Sequence, residues 1–165
     1  MEFSELGLNE NLLGAIVEAG YPNPTDVQQK AVPAALAGRD LMVSSQTGSG
    51  KTAAFMWPAL NRLMQESSVK ARGPRVLVLT PTRELAIQVT EACRKYGKGM
   101  RYAKAVSVVG GTSYVMQNKL LAQPYEVLVA TPGRLIDQMD SGRIDFGRLE
   151  MLVLDEADRM LDMGF

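Results

Sequence analysis

Lys51 and Thr52 close a Gly-rich segment, Ser44-Ser45-Gln46-Thr47-Gly48-Ser49-Gly50-Lys51-Thr52, set between an apolar stretch (Leu41-Met42-Val43) and a helix-like run from Ala53. About 100 residues later, Met151-Leu152-Val153-Leu154 ends in two carboxylates, Asp155 and Glu156. A Gly-rich turn that enters a helix offers backbone N–H groups and a positive dipole end to phosphates. Lys51 can reach the outer phosphates, and Thr52 and Asp155 can hold Mg²⁺ between them. Glu156 is then left to orient a water. These are the parts that a nucleoside triphosphatase requires. The loop departs from the strict G-x-x-x-x-G-K-[ST] pattern, because Ser45 stands where the first glycine belongs. An apolar run ending in Asp-Glu is a weak signal alone and a strong one with this loop upstream.

Such parts need a rim to stand on. Five short Val- and Leu-rich runs read as strands: Asp40–Ser44, Arg75–Thr80, Ala103–Val109, Tyr125–Ala130 and Glu150–Leu154. They are apolar on both faces, as parallel strands covered by helices on each side must be. Helical patterns alternate with them at Lys51–Gln65, Arg83–Tyr96, Ser113–Leu121 and Gly133–Met139. Two more helices precede the first strand, from about Asn9 to Ala19 and from Thr25 to Leu36. The reading is an α/β fold, a three-layer α/β/α arrangement around an open parallel sheet. Ligands in such sheets bind beyond the carboxyl ends of the strands. The Gly-rich loop, Pro81-Thr82-Arg83, Gly110-Gly111, Thr131-Pro132-Gly133-Arg134 and Asp155-Glu156 all fall there.

Composition narrows the class. The chain has 165 residues, enough for one domain with a real core. Lys+Arg and Asp+Glu are both 18, so no global field argues for nucleic acid and any such binding must be local. There is no histidine, which removes His-based catalysis and His-ligated metal sites. One cysteine, Cys93, excludes an intrachain disulfide, fits a reducing (cytoplasmic) compartment and reads as a structural thiol. No signal peptide and no membrane-length apolar run is visible. The mixed run from Arg94 to Lys104 reads as a solvated helix end and loop, with an RNA-stacking surface as the alternative, and Met139, Met151, Met160 and Met163 as core filler.

Several residues carry two readings. Thr25-Asp26-Val27-Gln28 is a capping box, in which Gln28 reaches back to the Thr25 backbone. A side-chain amide can also bond adenine N6 and N7, and Phe3 could stack on the same base. Arg83 could be a solvated surface arginine. Alternatively Pro81, Thr82, Arg83, Thr131, Pro132, Gly133 and Arg134 bind nucleic-acid phosphates, with Gly110 and Gly111 allowing close approach of the chain.

The motif set resembles that of the DEAD-box RNA helicases. Asp155-Glu156-Ala157-Asp158 is the tetrapeptide that names the family, and Ser45 to Thr52 is similar to its first motif, usually written with Ala at Ser45. Pro81-Thr82-Arg83-Glu84-Leu85 and Thr131-Pro132-Gly133-Arg134 match its RNA-contacting motifs, with Gly110-Gly111 between them. Gly20 to Gln28 resembles its adenine-reading Q motif, and Phe3 lies 17 residues before Gly20, the family spacing for a stacking aromatic. The style is similar to the bacterial RhlE-type branch. The resemblance implies a RecA-like P-loop NTPase domain using ATP and Mg²⁺. In that reading Phe3 and Gln28 take adenine, Gln46, Thr47, Gly48, Ser49, Gly50, Lys51 and Thr52 take the phosphates, and Thr52 and Asp155 hold the metal. Glu156, Asp155 and Lys51 carry catalysis, Pro81, Thr82, Arg83, Gly110, Gly111, Thr131, Pro132, Gly133 and Arg134 contact RNA, and Asp158 couples to a second domain.

Residues 1–38 are then a Q-motif helical segment and residues 39–165 the first RecA-like domain. There are departures: Asp26-Val27 replaces the usual Pro-Ile, and no Ser-Ala-Thr motif or second RecA-like domain follows. The chain is expected to be a fragment that binds nucleotide, while the complete protein, closed on RNA by its second domain, hydrolyses ATP and separates short duplexes. The alternatives are a DNA-stimulated ATPase of the same type and a non-catalytic RNA clamp switched by ATP.

Overall fold

The computed structural model describes residues 2–43 and 50–164. Among these, five strands form one sheet in the order β1-β5-β2-β4-β3, with every neighbour parallel. The strands are β1 (Leu41–Val43), β2 (Val76–Leu79), β3 (Ala105–Val108), β4 (Val127–Ala130) and β5 (Met151–Asp155). Helices α3 (Lys51–Leu63), α4 (Arg83–Tyr96), α5 (Tyr114–Leu121) and α6 (Pro132–Asp140) make the crossovers, α1 (Glu10–Glu18) and α2 (Asp26–Leu36) precede β1, and α7 (Ala157–Asp162) follows β5. The element order matches the sequence reading, with strand ends one or two residues shorter at most boundaries. A 3-10 turn at Phe3–Leu6 was not foreseen.

The two-residue period of a strand sends alternate side chains to opposite faces. Val76, Val78, Val127, Val129 and Val153 face one apolar cluster shared with α1 to α4. Leu77, Val106, Val108 and Leu128 face a second cluster, which Leu121 of α5 and Leu135 of α6 cover. That is the three-layer α/β arrangement, and it explains why the strands read as continuous apolar runs.

Helix starts follow local capping chemistry. Asn9, Thr25, Thr82 and Ser113 each accept a backbone N–H from the first turn of their helix, at α1, α2, α4 and α5. Pro132 takes the first position of α6, where its missing N–H is harmless. Of the four methionines read as core, Met151 and Met160 are buried, whereas Met139 and Met163 are about half exposed. The correction has a simple cause, since both lie on outward faces of α6 and the end of α7. Cys93 is buried, and burial pushes its thiol up to about 12, so it is an inert core group. No helix among the described residues is long and apolar enough to cross a membrane.

At the rim opposite the functional segments, Arg75 is 3% exposed. It donates to Glu150 and to the Gln65 carbonyl at 2.8 Å, tying β2 to β5 and to the end of α3. Burial works against the Glu150 charge, but the Arg75 and Arg62 guanidiniums outweigh it and hold the carboxyl below its ordinary 4.5. The stabilisation is therefore complete above that ordinary value and is lost as pH falls through the lower folded value. Glu150→Gln is expected to lower stability by about 1 kcal/mol at neutral pH. In urea titrations the gap between variant and parent should close as acid neutralises Glu150.

Candidate functional site

Gly50 caps α3 in the left-handed region, φ 80°, which glycine adopts without strain. Lys51 is the first residue of the helix and is 8% exposed. Its ammonium lies 3.2 Å from Asp155 Oδ1 and 2.9 Å from Glu156 Oε2. Both carboxylates stand at the end of β5, whose register sets Asp155 beside Val43 of β1. Gly50, Lys51, Thr52 and Asp155 line one cavity of about 490 Å³, between the start of α3 and the flank of α4. A nucleotide-sized ligand fits that volume. Gln46, Thr47, Gly48 and Ser49 lie outside the described residues.

Asp155 is fully buried. Burial pushes its carboxyl above the ordinary value, and Lys51 only partly pulls it back. Its Oδ2 faces the Thr80 hydroxyl at 3.5 Å. Its Oδ1 faces the Lys51 ammonium but accepts no aligned hydrogen bond among the described residues. A buried carboxylate oxygen with unused acceptor capacity, in a cavity that Thr52 also lines, suits a hard cation. No cluster of three or more acidic, Cys or His side chains exists among the described residues, so an ion here would keep waters and phosphate oxygens as most of its ligands. Mg²⁺ is the cation that binds in that way.

Glu156 has φ 54° and ψ 51°, and it is the one non-glycine residue with positive φ among those described. Left-handed backbone costs a non-glycine residue about 1 kcal/mol. It is held there by its own N–H, which donates to the Val43 carbonyl at 2.7 Å, and by Arg159, 3.7 Å from its other carboxylate oxygen. The twist points the side chain back over Lys51. Asp158 follows in the first turn of α7, where it is exposed.

Gln28 forms the expected capping box with Thr25: its Oε1 accepts the Thr25 N–H at 2.9 Å. Its Nε2 also donates to the Gly50 carbonyl at 3.2 Å, so α2 touches the start of α3 directly. These bonds use half of the amide's capacity, although the side chain is fully buried. Phe3 is 8% exposed and packs edge-on against Trp57 and Tyr21, with ring centroids 5.4 and 6.4 Å away. It therefore presents no open stacking face here. Tyr21, one residue past Gly20, lines the cavity and shares a 2.6 Å hydroxyl contact with Tyr96. Tyr21 lies inside the Gly20–Gln28 motif, but no local sequence pattern marks it as part of a cavity.

Further along the same rim, Pro81, Arg83, Gly110, Thr131, Pro132, Gly133 and Arg134 line a second, shallow cleft of about 430 Å³. Thr82 spends its hydroxyl oxygen on capping α4, accepting the Leu85 N–H at 3.2 Å. Gly111, φ 80°, lies against the Arg83 guanidinium, which a Cβ there would strike. Segments separated by more than 50 residues in sequence thus meet on one surface, which Tyr114 and Asp137 complete.

Lys51→Ala leaves Asp155 buried without its cation. It is expected to destabilise the ligand-free protein by about 3 kcal/mol in urea unfolding. Lys51→Arg should retain part of that loss, because a guanidinium still answers the charge.

The sequence pattern of the DEAD/DEAH box helicase family matches residues 25–165. The chain is similar to ATP-dependent RNA helicase DeaD of Klebsiella pneumoniae, 47% identical over 99% of this chain and 25% of the relative. It is also similar to ATP-dependent RNA helicase SrmB of Escherichia coli, 44% identical over 99% of this chain and 36% of the relative. DEAD-box ATP-dependent RNA helicase RhpA of Helicobacter pylori is 45% identical over 99% of this chain and 32% of its own length. The chain thus spans about a quarter to a third of the length of these curated relatives.

Proposed function

The chain belongs to the DEAD/DEAH box helicase family, and from that premise we propose that it is the amino-terminal ATP-binding part of an ATP-dependent RNA helicase. The observation that carries the reading is the Lys51 ammonium between Asp155 and Glu156 at the start of α3, on the same rim as the Arg83–Arg134 cleft. The first cavity takes ATP. Lys51 would exchange its carboxylate partners for the outer phosphates, and Thr52 and Asp155 would hold Mg²⁺. When bound, the ion supplies charge neutralisation between phosphate oxygens. Glu156, freed from Lys51, orients the attacking water. Gln46, Thr47, Gly48, Ser49 and Gly50 supply the phosphate-binding backbone.

Adenine recognition is assigned to Gln28 and Phe3. The amide has hydrogen-bond capacity to spare, and the Phe3 ring has to turn one face outward to stack. The second cleft takes the RNA backbone: Arg83 and Arg134 meet phosphates, and Pro81, Thr82, Gly110, Gly111, Thr131, Pro132 and Gly133 shape a surface the strand can approach closely. Phosphate contacts of this kind position a strand without reading its sequence. Residues 1–38 serve as the Q-motif segment and residues 39–165 as the first RecA-like domain. A second RecA-like domain of the same polypeptide supplies the charge-stabilising arginines, and Asp158 couples to it. The lone buried Cys93 thiol supports a cytoplasmic setting.

Calorimetric titration of the chain with ADP and with GDP, both with Mg²⁺, tests the nucleotide assignment. ADP is expected to bind with little or no GDP binding, whereas equal binding would remove adenine reading from Gln28 and Phe3. In the complete protein, Glu156→Gln is expected to reduce RNA-stimulated ATP turnover by at least about 100-fold while nucleotide binding persists. Unchanged turnover would take the hydrolytic role away from Glu156.

A further inference from the structure

Tyr114 belongs to none of the segments from which the RNA cleft was read, yet it stands inside that cleft. It opens α5 behind the Ser113 cap and is 47% exposed. The Arg134 guanidinium lies over its ring, with Cζ 3.9 Å from the ring centroid. Its hydroxyl donates to Asp137 Oδ2 at 2.8 Å.

Arg134 and Asp137 are three residues apart on α6, the spacing at which opposite charges pair along a helix. They form no ion pair in the structure; Asp137 is turned to the Tyr114 hydroxyl instead. The arginine is anchored elsewhere. Its Nη1 donates to the Thr112 carbonyl at 3.1 Å and to Gln117 Oε1 at 3.1 Å. Gln117 is 3% exposed and donates in turn to the Val109 carbonyl at 2.9 Å. Both arginine bonds leave from Nη1. The Nε–Nη2 edge, the fork that matches two oxygens of a phosphate, makes no hydrogen bond to a described residue.

We propose that Tyr114 is a positioning residue for RNA binding: its ring seats the Arg134 guanidinium and its hydroxyl keeps the Asp137 carboxylate from neutralising it. A long side chain held in one place loses less freedom when it meets a phosphate, and a cation left unpaired attracts that phosphate more strongly. The inference rests on the reading of Arg134 as a phosphate contact. It adds two separable parts, one for the ring and one for the hydroxyl. Tyr114 keeps its proton for the second part, since donation to Asp137 raises its pKa above the ordinary tyrosine value.

The test uses the complete polypeptide and a fluorescently labelled oligouridylate. RNA affinity is measured by anisotropy with a non-hydrolysable ATP analogue, and RNA-stimulated ATPase is followed as RNA concentration rises. Tyr114→Leu is expected to raise the half-saturating RNA concentration about fivefold, with turnover at saturating RNA retained. Tyr114→Phe keeps the ring and should fall between parent and Leu variant. Adding Asp137→Asn to Tyr114→Phe should restore affinity, which a loss of packing alone would not allow. On an Arg134→Ala background, Tyr114→Leu should have no further effect.

If Tyr114→Leu loses thermal stability, the Phe and Phe/Asn variants carry the test by themselves. Parent-like affinity in Tyr114→Leu, beside a weakened Arg134→Ala, would overturn the inference and leave the cleft intact. An equal effect of Tyr114→Leu with and without Arg134 would overturn it too. An Arg134→Ala protein that binds RNA as the parent does would instead remove the cleft reading, and the inference with it.

Discussion

Among the described residues, Lys51 is the one cation close to a carboxylate that the fold has buried completely, and the candidate site is organised around that pair. The interaction joins the first residue of α3 to the last of β5, across the β1–β5 edge of the sheet. Burial disfavours the charge on Asp155, so the ammonium is an electrostatic requirement before any ligand is considered. A lysine that answers carboxylates in the ligand-free protein has ready competitors in phosphate oxygens. The same contact can therefore stabilise the fold and hand over to an anionic ligand.

Backbone strain at Glu156 belongs to this arrangement. Helix α7 begins immediately after β5, and no extended residue could reverse the chain while turning a carboxylate toward Lys51. The left-handed conformation achieves both, and the Val43 carbonyl holds it in place through the Glu156 N–H. The cost is local and modest, and the opposite rim offsets it with contacts that have no site to serve, such as the buried Arg75–Glu150 latch between β2 and β5.

The two clefts are linked through β2. Its end carries Thr80, which reaches Asp155, and three residues later Arg83 lines the second cleft. A parallel sheet makes this economical, because every strand delivers its following loop to the same edge. Gln28 adds a third connection, bonding the α2 start to Gly50. The two clefts thus share short, hydrogen-bonded elements.

Much of this was legible before any fold was known. The alternation of strands and helices was written in the residues themselves, because parallel strands buried on both faces must read as Val/Leu runs and helix starts must either satisfy their N–H groups, as Thr25, Thr82 and Ser113 do, or dispense with one, as Pro132 does. The sequence also marked Lys51, Asp155 and Glu156 as candidates, since few side chains serve phosphate and metal and each of the three follows an apolar, strand-like run. Tertiary structure alone decided the rest. Strand order depends on which faces pack together. Phe3 carries no local sign that Trp57 and Tyr21 enclose it, and Met139 and Met163 look like core residues until the sheet shows which way their helices face. The stack of Tyr114 under Arg134, and the turning of Asp137 away from that arginine, arise only when α5 and α6 are laid side by side on β3 and β4, because they are contacts between residues that no sequence period connects.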